Sequence, residues 1–418
     1  MTSSSARTSS LSRGALAALI ASLSAVGPFS IDAYLPSMAE IQKVMHASPY
    51  IVQLTLTAYM GPFAIMTLWH GAISDAVGRR VVVLWGMALF ALASLACAFA
   101  QTIEMLLIFR VLQGATAGAG MVVGRAIVRD RFHGADAQRL MSQISLAFAM
   151  APAVAPVIGG WLQAGFGWRS VFVFLVFYSA TVWLLCRSSL PETLARELRR
   201  PLHPGYLVRS YWNVLTSLRF LSICTGSTFC FAGIFIYVTA APVFLMRHLG
   251  VSSTGFLWLF GPITCGMAAG AWISGRVAGR LLPGSTLAWA LGLMGLAAAG
   301  NLWFHSVRQP TLPWSVVPLF FYAIGMALAF PTLVILALDL FPNQRGLAAS
   351  CQGFIQTGGG ALVALVAPFV WDSARFLAIA QVGSAAIAAA CVVAYRWRHK
   401  FVAQAQTRPS FMESEPAI

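Results

Sequence analysis

Asp32 and Arg110 are the residues whose chemistry is hardest to explain without a function. Gly14 to Ile31 carries no charge before Asp32 is reached. A carboxylate at membrane depth costs about 2.5–3.5 kcal/mol on insertion scales, so such residues mark ion or substrate paths. Pro36 follows four residues later, and the competing reading is that Asp32 caps a helix or reaches interfacial water. Arg110 opens the run Arg110-Val111-Leu112-Gln113-Gly114. A guanidinium keeps its proton, so within an apolar stretch it needs carbonyls, Gln113 or Asp32 as partners. A structural arginine tied to backbone carbonyls is the alternative there. Counted from the ends of their apolar stretches at about 1.5 Å per residue, the two side chains sit at similar depth. Of the twelve acidic residues, Asp32 alone lies within such a stretch.

A second kind of chemistry is charge at a turn. Gly71-Ala72-Ile73-Ser74-Asp75-Ala76-Val77-Gly78-Arg79-Arg80 joins two apolar runs. Its glycines permit a tight, close-packed turn. Asp75 stands just before a helix whose positive N-terminal end favours a carboxylate, while Arg79 and Arg80 face an anionic leaflet. An ordinary positive-inside turn would also explain these charges.

The elements that must position these residues follow from composition. The chain has 418 residues, 59% hydrophobic and 9% charged, with mean hydropathy +0.77. A soluble domain carries about 25% charge, so this is a polytopic membrane protein. Apolar runs of spanning length recur near 14–36, 50–70, 81–101, 104–126, 140–163, 168–187, 219–246, 253–275, 283–304, 313–338, 347–371 and 375–396. That predicts an all-α fold of twelve transmembrane helices. The net charge of +15 comes almost wholly from arginines scattered between the runs, a topology signal rather than a nucleic-acid footprint. With the N-terminus inside, the inner segments hold 21 Arg and Lys against 5 in the outer ones, which places both termini in the cytoplasm. The apolar run after Arg13 extends to Tyr34, so it is read as an uncleaved first span rather than a signal peptide. The longest inner loop divides the spans six and six: a bundle over 1–187, a linker over 188–218, a second bundle over 219–400 and a tail over 401–418. Its Leu194–Arg200 stretch is read as an amphipathic segment on the inner leaflet. Gly78-Arg79 recurs as Gly279-Arg280, and Asp130-Arg131-Phe132 as Asp339-Leu340-Phe341, at similar offsets. Two echoes in register suggest a duplicated unit with a site between the halves.

The decapeptide Gly71–Arg80 matches G-x-x-S-D-x-x-G-R-R throughout and resembles the signature loop of the major facilitator superfamily. The resemblance implies two six-helix bundles that rock to alternate access. It makes Gly71, Asp75, Gly78, Arg79 and Arg80 gate residues, with Asp130 as a partner for the loop arginines. Arg110 to Gly114 matches the family's R-x-x-Q-G motif. Ala155-Pro156-Val157-Ile158-Gly159-Gly160 resembles the antiporter signature ending G-P-x-x-G-G, though Ser142, Ala151 and Ala155 stand where glycines are expected. Small residues there let helices approach closely, and ordinary packing explains them nearly as well. Asp32–Pro36, Gln53–Tyr59 and Val128–Asp130 are similar to the bicyclomycin-resistance and chloramphenicol-exporter (Bcr/CflA) branch of drug:proton antiporters. The likeness is detailed in the first half and thinner in the second.

Tyr34, Tyr59, Gln113, Phe235 and Gln352 are the candidate substrate contacts, since aromatic surface with a few polar groups accepts varied apolar drugs. The expected activity is export of such a drug against an inward proton, with Asp32 and Arg110 coupling the two. Burial favours a neutral carboxyl and Arg110 favours the carboxylate, so substrate entry could tip the balance. A proton-linked metabolite transporter on the same fold is the alternative, and few intramembrane charges argue against a strongly charged substrate. No Walker sequence appears, so the proton gradient is the expected energy source and no cofactor is anticipated. The seven histidines are placed in loops or rims, and the seven cysteines show no ligand spacing, so neither a metal nor an enzymatic reaction is expected. The expected setting is the bacterial inner membrane, as a monomer with small-molecule, proton and lipid partners.

Overall fold

The structure is a computed structural model that describes residues 13–132, 134–199, 202–277 and 280–406. Gly279, and with it one of the two sequence echoes, lies outside the described residues, as do the side chain of Ser142 and most of the tail. Helices α1 (Arg13–Asp32), α2 (Met38–Val44), α3 (Pro49–Val77), α4 (Arg79–Ala98), α5 (Ile103–Arg131), α6 (Gly134–Phe166) and α7 (Arg169–Ser189) form the first part of the chain. The short α8 (Pro204–Leu215) lies in the linker. The second part holds α9 (Leu218–Thr239), α10 (Leu257–Val277), α11 (Pro283–Val307), α12 (Val317–Asp339), α13 (Arg345–Val366) and α14 (Ala374–Gln406). Setting α2 and α8 aside leaves twelve long helices, as the apolar runs predict, and no strand occurs among the described residues.

Local sequence sets the helix ends. Pro36 has no N–H to give the carbonyl of Asp32, so the i→i−4 ladder stops there. α1 therefore ends at Asp32 rather than running on to Pro36, and a 3-10 turn, Leu35–Ser37, follows. Ser48 and Thr102 cap α3 and α5, accepting from the amides of Ile51 (3.3 Å) and Met105 (3.4 Å). Pro242 cuts the seventh predicted span short: α9 stops at Thr239 and a π-helical segment, Pro242–His248, takes over.

Ten of the long helices are apolar and long enough to cross a membrane. α6 and α13 are the two outside that set; Gln352, Gln356, Thr357 and five glycines dilute the hydropathy of α13, which packs on α3 and α9. In the first part, α1 packs on α5, α6 and α7, α3 on α5, and α4 on α5 and α7. In the second, α9 packs on α12, α13 and α14, α10 on α12, and α11 on α12 and α14. Numbered by order within each half, the two sets of pairings coincide. The halves meet through α3 with α13 and α6 with α10, which exchange under the same correspondence. Such a repeat puts a site between the two bundles.

Candidate functional site

Asp32, at the end of α1, keeps 5% of its surface exposed. Helix C-termini carry the negative end of the dipole, so a carboxylate is disfavoured there and Asp32 cannot be a stabilising cap. The caps of the following turns are Tyr34 and Ser37 instead. Among the described residues no side chain pairs with Asp32 by hydrogen bond or ion pair.

Arg110 is fully buried on α5. Its Nη1 donates to Gln113 Oε1 (2.6 Å) and to the carbonyl of Ser30 (3.3 Å), and its Nε to the carbonyl of Thr55 (3.4 Å). The guanidinium sits between the Tyr34 and Tyr59 rings, 4.7 and 4.4 Å from their centroids, with Phe172 at 6.0 Å. Such contacts contribute about 2 kcal/mol when desolvated. Nη2 has no partner. Gln113 passes the network on to Ser94 Oγ (2.8 Å), the Tyr34 hydroxyl meets Thr55 Oγ1 (2.6 Å), and the Tyr59 hydroxyl donates to the carbonyl of Gly27 (3.3 Å). The fold thus brings Tyr34, Tyr59, Arg110 and Gln113 to one place, with Asp32 two residues along the chain from the Ser30 carbonyl that Arg110 meets. Phe235, stacked on Phe231 at 5.0 Å, and Gln352 belong to the other half and do not join this cluster. Tyr34 and Tyr59 have no open surface. Their faces are occupied by Arg110 rather than presented to a cavity.

Helix backbones approach closely around the cluster. A Cβ on Gly114 would fall on the backbone of Tyr59, and one on Gly159 on the backbone of Ala33, beside Asp32. A Cβ on Gly160 would strike the carbonyl of Ser253, in the other half. Consecutive glycines of α6 therefore touch the Asp32 turn and the facing bundle. Pro156, also within α6, precedes them by less than one turn.

At the opposite end, Gly78 adopts φ 110°, a left-handed backbone that favours glycine. A Cβ on Gly71 would only touch Val122. Arg79 is buried and pairs with Asp75 one turn before it and with Asp130 of α5 (Nε to Oδ2, 3.0 Å). It also donates to Ser74 Oγ (2.6 Å). Sequence reasoning missed Glu192. Its carboxylate accepts from the amides of Arg79 (2.9 Å) and Arg80 (3.3 Å), the open N-terminus of α4, and approaches Arg199 at 3.7 Å. Arg80 reaches the carbonyl of Arg187 (2.7 Å), and Thr193 donates to Asp130 (3.1 Å). The signal was an acid just past a span in an otherwise basic loop. His70 and His305 correct the placement of histidines at rims: both are buried within long helices. Among the described residues no cluster of metal-ligating side chains forms.

The family model for the Major Facilitator Superfamily matches residues 18–368. The chain belongs to this superfamily. It is 35% identical to the "Uncharacterized MFS-type transporter YdgK" of Bacillus subtilis over 84% of this chain and 88% of that protein. The "Bicyclomycin resistance protein homolog" of Haemophilus influenzae is 29% identical over 84% and 88%. Among solved structures, a D-xylose–proton symporter superposes with TM-score 0.68 at 14% identity, covering 89% of this chain and 96% of that one; this supports the fold alone. A major facilitator fold carried on ten strongly apolar helices is a multi-pass integral membrane protein.

Proposed function

We propose that the protein exports apolar drugs across the bacterial inner membrane in exchange for protons. The observation that carries this reading is the buried, unpaired carboxylate of Asp32, two residues beyond the Ser30 carbonyl that the desolvated Arg110 holds. Intramembrane charges are retained where they move ions or substrates. A protonated Asp32 is at ease at a helix C-terminus, whereas the carboxylate is disfavoured there. A change at this helix end that accompanies substrate entry therefore shifts the proton. The drug-resistance name of one relative and the resemblance to phenicol and bicyclomycin exporters point to the substrate class.

Both termini lie in the cytoplasm, in keeping with the arginine distribution, so the gate loop is cytoplasmic and Asp32 near the outer side. The bundles over 1–187 and 219–400 rock about the 188–218 linker as a monomer. Contacts between halves at the Asp32 end, Gln53 Nε2 to the Ala364 carbonyl (3.1 Å) and Gly160 against Ser253, hold that end together. Purified protein in a weakly buffered medium should release protons when chloramphenicol or bicyclomycin is added, and Asp32→Asn should not. An equal signal from Asp32→Asn removes Asp32 as the carrier. Growth of an efflux-deficient host on the same drugs separates a drug exporter from a metabolite transporter.

A further inference from the structure

Beyond Arg110, which its own half encloses, α5 carries Arg125 and Arg129 toward its gate end. On this helix Val122 faces Gly71 of α3, while Gly120 and Gly124 face Leu23 and Ile20 of α1. Arg125 points between those two directions, as Arg110 does four turns earlier. It is exposed to solvent, and the cleft it borders is the space between the halves. Arg129 follows one turn later, and its Nη1 lies 3.9 Å from where a Cβ on Gly346 would stand, across in α13.

The facing wall is open. Gly346, Gly353 and Gly360 recur every two turns on one face of α13. Gly360 is packed against Met60 and Phe235, but a Cβ on Gly353 would meet nothing within 4 Å. This wall therefore carries no side chain at Gly346 or Gly353, and Arg129 stands across from Gly346. Neither arginine has an acidic partner among the described residues. Asp75 and Asp130 are held by Arg79, Glu192 by the start of α4, and Asp339 by Arg345 at 2.9 Å. Two like charges one turn apart repel, and a partly enclosed cleft screens them less than open water does. An anion is the ligand that relieves this.

We propose that Arg125 and Arg129 form a binding site for an organic anion (a carboxylate, sulfonate or phosphate) on an amphiphile entering the cleft from the gate end. This rests on reading the cleft as the transport path, and it extends the substrates from neutral drugs to those with an acidic group. Guanidinium forks bind such groups by paired, charge-assisted hydrogen bonds.

Fluorescein and rhodamine 6G, similar in size and opposite in charge, can be bound to the full-length protein in phosphatidylcholine nanodiscs and read by fluorescence polarisation. Fluorescein should bind about tenfold or more weakly to Arg125→Gln/Arg129→Gln, and rhodamine 6G should lose nothing. Wild-type affinity for fluorescein should also fall as salt rises, which needs no variant, and Arg129→Gln alone should weaken it. Equal fluorescein affinity in wild type and variants, or no salt dependence, overturns the site. Displacement of fluorescein by phosphatidylglycerol in the disc would keep the anion site and overturn its assignment to substrate in favour of a lipid headgroup. Binding is read without a proton gradient, so a failure of proton coupling leaves this result unaffected.

Discussion

At the scale of single residues, Arg110 shows how a charge is held without a counter-ion. Two carbonyls, one amide and two ring faces share the guanidinium, and none of them is a carboxylate. That arrangement depends on the planar fork, because an ammonium cannot stack on two rings and reach three acceptors at once. Arg110→Lys keeps the charge and should still lower drug efflux about tenfold or more; efflux assays in intact cells measure this. Efflux equal to wild type would return Arg110 to a packing role. Asp32 is the complementary case, since it is buried yet left unpaired at the end of α1.

At the scale of elements, helix ends and close crossings do most of the positioning. Glu192 supplies acceptors to two amides at the start of α4, a cap provided by a distant loop. Removing a cap of this kind costs about 1 kcal/mol, with the helix dipole adding some tenths. Thermal denaturation of Glu192→Ala should show that loss, and Glu192→Gln, which can still accept, should show less. An unchanged midpoint in Glu192→Ala would mean the cap is idle. α6 gives the second case. Gly159→Ala would drive a methyl into the Ala33 backbone, which cannot rotate away, and overpacking of this sort costs about 1–3 kcal/mol. It should also blunt drug-driven proton release by shifting the Asp32 turn. Gly165→Ala, with nothing within 4 Å, is the control.

At the scale of the whole molecule, the halves repeat the same helix pairings and meet along α3 with α13 and α6 with α10. Rocking of one half on the other requires the Asp32 end to part, and with it the contact of Gln53 to Ala364 and the pairing of Tyr50 with Phe369 at 6.0 Å. Cysteines at 53 and 364, in a background cleared of the seven native ones, can be tied by a short bifunctional thiol reagent. Transport in proteoliposomes should stop on tying and return on reduction. Undiminished transport by the tied protein would rule out opening at this end. The linker also bridges the halves: the Tyr211 hydroxyl of α8 donates to the carbonyl of Leu68 in α3 at 2.6 Å, while α8 itself packs on α13 and α9.

The sequence alone determined the twelve long helices and the family, because hydrocarbon-length apolar runs and a complete ten-residue motif are local signals. The apolar run predicts a first span reaching Pro36, whereas the structure ends α1 at Asp32. The sequence could not say that Arg110 would be met by Ser30, Thr55 and two tyrosine rings rather than by Asp32, since those contacts join residues 51 to 80 positions apart. Nor could it bring Glu192 to the start of α4, 113 residues away, or show Arg129 facing Gly346 across the cleft. Hydropathy is summed along the chain, whereas the partners of a buried charge are chosen by how helices cross. Only the tertiary structure decided those.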